Sequence, residues 1–214
     1  MSNEISTVSK SYTELASDES IAKTSTALTE RNIEVIIVTT KEEALAKIKE
    51  VIPQGASVMN GASRTLEEIG YIEYLQSATH GWKNLKDVIL AEKDSIKQAE
   101  VRKQSVLSDF YLGSVHAVAE TGEIVIASNT GSQLPHIVFT SPNIIFVVST
   151  QKITPTISDA LKRVEEYVLP LEDKRMHDLY GVGTMLSKEL IFRGENPKLG
   201  RKFHLIFVKE KLGF

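Results

Sequence analysis

The sequence predicts an α/β protein built on a parallel sheet, and three observations carry that expectation. Helix-period segments alternate with short strand-like runs through the first quarter of the chain, the rhythm of βαβ units. Residues 33–38 and 144–149 are almost continuous apolar runs, suited to strands buried on both faces. The chain has 214 residues, 42% of them hydrophobic, enough to bury a sizeable core in one domain without disulfides or metal.

The elements follow in order. Residues 13–31 have helical spacing (Leu15, Ile21, Ala22, Leu28), and with the polar stretch before them they read as an N-terminal helical extension, 1–31, packed on a domain spanning 32–214. Residues 33–38 form a strand, and 41–51 a helix with Ala44, Leu45 and Ile48 on one face. Pro53 and Gly55 break the chain before a strand at 56–59. Asn60 and Gly61 turn it again, and Ser63 or Thr65 caps a helix that carries Glu67 and Glu68 in its first turn. Helix continues over 71–78, and His80-Gly81-Trp82 is a loop. A long helix is expected over 92–110, then strands at 114–119, 123–127 and 144–149. Pro155 opens a helix and Pro170 closes it, with Ile157, Leu161, Val164 and Val168 on one stripe. Strands at 190–192 and 203–208 complete the pattern.

Composition excludes several classes. A formal net charge of −3 gives no electrostatic case for nucleic acid or an anionic membrane surface. The most basic stretch, 93–103, is interleaved with Asp94 and Glu100 and reads as a solvated helix face. The absence of cysteine rules out disulfides, thiolate catalysis and iron–sulfur clusters held by this chain alone. The first residues lack the apolar core of a signal peptide, and no apolar run is long enough to span a bilayer, so a cytoplasmic protein is expected. His177 and His204 have no ligand-type neighbour at metal spacing, so no metal is expected.

Polar groups at strand ends mark the candidate chemistry. Asn60, Gly61 and Ser63 lie between a strand end and a helix start, where backbone N–H groups and a hydroxyl suit an anion. Glu120 precedes Thr121 and Gly122 in a tight turn, and its carboxylate is a candidate nucleophile or base. Asn129, Thr130, Gly131 and Ser132 follow a buried strand and offer the parts of an oxyanion cradle. Asp109 is a candidate acid/base partner of Glu120, and His136 a further titratable group. An extended strand holds its ends far apart at ~3.3 Å per residue. The Glu120 turn and the 128–132 loop therefore share a pocket only if the chain doubles back or a second subunit contributes, and the sequence leaves both open, a homo-oligomer being one of the two. Glu120 is expected to be partly buried, facing Asn60–Ser63, with Asp109 or the 128–132 loop within reach. Lys152 is not expected to act as a Schiff-base lysine, because no apolar enclosure around it is evident in the sequence.

The segments NGASRTLEEIG, SDFYLGSVHAVAETGEIVIASNTGSQLP, KITPTISDALKRVEEYVLPLEDKRM and KEKLGF resemble, in this order, the LUD (lactate utilization) domain family in its stand-alone form. The resemblance covers most of the chain from the first strand onward. It implies a three-layer α/β/α fold with a mostly parallel sheet, similar to the NagB, ribose-5-phosphate isomerase and CoA-transferase group, with ligands at the carboxyl ends of the strands. It also implies a component of L-lactate oxidation to pyruvate that works beside iron–sulfur partner proteins and binds a small anionic or nucleotide-type ligand, with no cofactor of its own. The alternative expectation is a stand-alone enzyme on a phosphorylated sugar or acyl-CoA-type substrate, with Glu120 as nucleophile or base.

Overall fold

A computed structural model of the chain describes residues 12–77 and 79–214. Residues 1–11 of the expected N-terminal extension lie outside the described residues. Its described part contains helix α1 (Asp18–Thr29), capped by the Ser17 hydroxyl.

Six parallel strands form the main sheet, in the order β1 (Glu34–Val38), β10 (Lys202–Val208), β7 (Asn143–Ser149), β4 (Phe110–Gly113), β2 (Ser57–Asn60) and β3 (Lys83–Asn84). The period of two along the central strands sorts their side chains between two cores. Ile145 and Val147 of β7, with Ile206 and Val208 of β10, face a core that also holds Ala44 and Ile48 of α2 (Lys41–Val51), Leu66 of α3 (Arg64–Glu68) and Tyr71 of α4 (Tyr71–Gln76). Ile144, Phe146, Val148, Leu205 and Phe207 face the other core, which includes Leu28 of α1.

A smaller mixed sheet covers that second face, in the order β8 (Ile153–Thr154), β5 (Ala117–Ala119), β6 (Ile124–Ser128) and β9 (Lys188–Phe192). Val118, Ile124 and Ile126 point into the shared core. Ala117 and Val125 point outward, against Ala160 of α7 (Ile157–Arg163) and Val164. The fold is thus a three-layer α/β/α arrangement, in which α1 shares the second face of the main sheet with a small sheet that carries α7 on its outer side.

Two elements depart from expectation. The helix expected over 92–110 is interrupted. Helix α5 (Leu85–Ala91) ends before it, Asp94 caps α6 (Ser95–Gln104), and Phe110–Gly113 is strand β4, in the middle of the main sheet. Four buried residues, Phe-Tyr-Leu-Gly, are too short to display a period, so pairing with β2 and β7 decides the matter. Nor does Pro170 end its helix. The helix widens to a π turn over Val164–Val168 and continues as α8 (Leu169–Tyr180) to Gly181, a left-handed cap. Proline lacks an N–H for the carbonyl four residues back and crowds it. The wider turn, which opens the i→i−4 ladder, accommodates both defects. Among the described residues no helix is long and apolar enough to cross a membrane.

Candidate functional site

β2, β4 and β7 run in parallel, so the chain leaves all three at the same sheet edge. A cavity of about 310 Å³ lies there. One wall is the turn from β2 into α3, residues 61–65; another is the 113–116 connection from β4 to β5. The 128–133 loop after β6 supplies a third. Val168, Leu169, Glu172, Arg175 and Met176, on one face of the last helix, close the side. Thr184, Met185 and Leu186 lie over it, and Gly213 and Phe214 reach its rim.

Lys152 is the central polar group. It follows β7 through a short 3₁₀ turn (Thr150–Lys152) and is 3% exposed. Its Nζ donates to Thr65 Oγ1 at 3.2 Å, Ser114 Oγ at 3.1 Å and the Val115 carbonyl at 3.2 Å. Among the described residues no carboxylate lies within ion-pair distance of it. Burial pushes its pKa down to about 7; Arg163 adds to that shift and Glu68 opposes it. The expectation of an unenclosed Lys152 is therefore corrected: tertiary packing from α3, the β4–β5 connection and the chain's last residues encloses it. The enclosure is tight at Gly213, whose φ is +62° and where a Cβ would lie 2.5 Å from Thr65 Oγ1 and 3.1 Å from Lys152 Nζ.

His116 lines the same cavity. Its Nδ1 accepts the Ala127 backbone N–H at 3.0 Å, which leaves the ring proton on Nε2. Burial, with Lys152 and Arg163 nearby, lowers its pKa to about 3, so the imidazole is neutral at ordinary pH and can donate from Nε2. Tyr111 adds a hydroxyl that meets the Gly61 backbone N–H, and burial raises its pKa. Charges on the wall are Lys152, Arg64, Arg175 and Glu172. Arg175 grips Glu172 with two bonds of 2.8 and 2.9 Å, and Arg64 bonds Glu68. Both arginines are thus paired, and Lys152 is the wall cation without an ion-pair partner among the described residues.

The structure brings Gly61, Ser63, Asn129, Thr130 and Ser132 to this cavity. The Ser63 hydroxyl caps α3 by accepting the Leu66 N–H. Asn129 Nδ2 donates to Thr184 Oγ1 at 3.3 Å and ties the loop to the overlying segment. Gly131 turns beside the Lys188 side chain, with φ +80°. Asn60 is 1% exposed, its Nδ2 bonded to the Gly61 carbonyl and its buried Oδ1 without a partner. His136 sits one layer back: its ring stacks on Tyr111 at 4.5 Å, and Ser108 and Ser141 bond its Nδ1.

The two carboxylates lie elsewhere. Glu120 was expected to face the Asn60–Ser63 turn with Asp109 within reach; instead it accepts from Ser20 Oγ at 2.6 Å and Lys23 Nζ at 2.9 Å, both on α1. Those bonds lower its pKa despite partial burial. Thr121 and Gly122 belong to the same seat, since Arg31 donates to the Thr121 carbonyl and Gly122, at φ +93°, leaves room for that guanidinium. Asp109 precedes β4 and accepts the Ser57 N–H and hydroxyl, at 2.8 and 2.7 Å, where β2 begins. It therefore lies at the amino edge of the sheet, opposite the cavity. Parallel pairing sends the two ends of a strand to opposite edges, and local sequence does not reveal which edge carries the cleft.

The sequence gives no reason to single out His116, Tyr111, Ser114 or Arg175, and it sets Lys152 aside for want of a visible enclosure. A signal existed for Lys152: a lysine three residues beyond a continuous buried strand lies at a carboxyl edge, where α/β folds place ligands.

The LUD domain family model matches residues 21–189. Among curated proteins none matches the sequence. Of solved structures, a DUF162 family protein from Deinococcus radiodurans is similar, with a TM-score of 0.53 and 10% identity over 91% of this chain and 98% of that one. That likeness is one of fold. The family match spans most of the chain and includes the turn after β2, the β4–β5 connection and Lys152, and so the chain belongs to the LUD domain family.

Proposed function

We propose that the chain binds a small carboxylate- or phosphate-bearing metabolite in the cavity beside Lys152, as a component of L-lactate oxidation. The observation that carries this reading is a buried lysine on a cavity wall with no carboxylate within ion-pair distance among the described residues. A bound anion supplies the missing counter-charge and raises the lysine's affinity for its proton. Arg64 and Arg175, each paired with a carboxylate, lie along the same wall, and a cavity of about 310 Å³ suits a compact metabolite. The lactate assignment rests on the family. A chain without cysteine holds no iron–sulfur cluster by itself, so in this reading electrons from lactate pass to cluster-bearing partner proteins in the cytoplasm.

Titration calorimetry with L-lactate, pyruvate and inorganic phosphate tests the binding. At least one is expected to bind the wild-type chain and to lose tenfold or more of its affinity in Lys152→Met. No binding by any of the three, or equal binding by the variant, removes the basis of the reading. Unimpaired growth on lactate after gene deletion, with no cluster protein co-purifying, removes the lactate assignment alone.

A further inference from the structure

We propose that Lys152 is a covalent site, at which Nζ condenses with the carbonyl of a 2-oxo acid to form an imine. This deepens the anion-binding reading and rests on the same cavity. An imine-forming lysine needs an accessible cavity, freedom from a carboxylate that would hold it as ammonium, and hydroxyls that can pass protons to and from the carbonyl oxygen. Lys152 has all three. It lines the cavity, its three bonds go to two hydroxyls and a carbonyl, and no described carboxylate pairs with it. Burial supplies a further condition, for at a pKa of about 7 much of the side chain is free amine at neutral pH.

The step balances without a further reactant. The amine lone pair attacks the carbonyl carbon, the C–N bond forms, and the carbonyl oxygen becomes a hydroxyl by taking a proton from Nζ. Ser114 Oγ, which both accepts and donates, lies 3.1 Å from Nζ to carry it. A second proton converts that hydroxyl to water, the C–O bond breaks, and the C=N bond forms. Counted from the ammonium form, both protons of the departing water come from Nζ and a protonated imine remains. No oxidation occurs. The acid's carboxylate reaches Arg64 or Arg175 by exchange with its present partner Glu68 or Glu172, and the neutral His116 carries its ring proton on Nε2. An anion with no carbonyl, such as phosphate or L-lactate, occupies the cavity but forms no bond.

The full chain is incubated with pyruvate and cyanoborohydride, which reduces a protonated imine to a stable amine, and is then digested and mapped by mass spectrometry. The expected result is a carboxyethyl group on Lys152, with the exposed Lys97 and Lys103 modified at least tenfold less. Excess L-lactate or phosphate, whichever binds by calorimetry, should suppress the modification. Ser114→Ala, which leaves Lys152 in place, should slow it several-fold. Modification spread over surface lysines and absent from Lys152 overturns the proposal. If anions bind and Lys152 stays unmodified, the imine fails while the anion-binding reading stands; if Lys152 is modified and no anion binds, the reverse holds.

Discussion

Replacing Lys152 with Met removes one buried proton-binding site and little volume, so it isolates what the burial of that charge costs. In the native protein the lysine titrates near 7, against 10.5 for an unburied one. Between those values the unfolded chain holds a proton that the native protein sheds, and native stability therefore rises with pH. Below the folded pKa both states are protonated and the penalty is complete and constant. At ~1.4 kcal/mol per unit, the two values make wild-type stability climb by about 2.5 kcal/mol from about pH 7.5 to about pH 9.5 on account of this residue alone. Other lysines and tyrosines titrate in both proteins and cancel in the difference. The variant also leaves Thr65, Ser114 and the Val115 carbonyl short of a donor, at about 1–3 kcal/mol for a group that is left buried and unpaired. That cost shifts the variant at every pH and does not tilt it. Urea unfolding of both proteins at three pH values in this range, without ligand, reads the slope. Curves that stay parallel to within about 0.5 kcal/mol would refute the reasoning.

Glu120→Gln should lower stability at neutral pH by about 1–2 kcal/mol, since the carboxylate accepts charge-assisted bonds from α1. Because the folded pKa is depressed, the difference from wild type should fade as the pH falls below about 4.5 towards the folded pKa; anion affinity should be unchanged by calorimetry, and its loss would bring Glu120 back to the cavity. Gly122→Ala puts a Cβ 2.6 Å from Arg31 Nε at a φ of +93° and should lower the melting temperature, at a cost of about 1–3 kcal/mol. Gly213→Ala intrudes on Thr65 and Lys152 instead, and should weaken anion binding several-fold as well as destabilise the fold. His136, whose pKa burial lowers to about 4, remains neutral in the native state as the unfolded chain takes up a proton below 6.5. Stability should fall through that window by at most about 3 kcal/mol, a loss absent in His136→Phe.

The amino-acid sequence by itself determined the architecture and much of the local detail. The apolar runs that became β7 and β10 carry their period of two, and the stripe Ile157, Leu161, Val164 faces the outer side of the small sheet as its spacing requires. Ser63 caps the helix after β2, and the turn there lines the cavity. These features depend on residues within a few positions of one another, so local sequence carries them. Tertiary structure decided the rest. Phe110–Gly113 is a strand because β2 and β7 flank it, and the helix runs through Pro170 because a π turn and its packing permit it. Glu120 and Lys152 are the clearest pair. The carboxylate in the conspicuous Gly turn is spent on holding α1, whereas the lysine that the sequence leaves unenclosed is surrounded by Thr65, Ser114, Val115 and Gly213, up to 87 positions away in the chain. Burial and proximity set a group's proton affinity, and both arise from contacts distant in sequence; the lysine's depressed proton affinity comes into being only when the sheet edge closes around it.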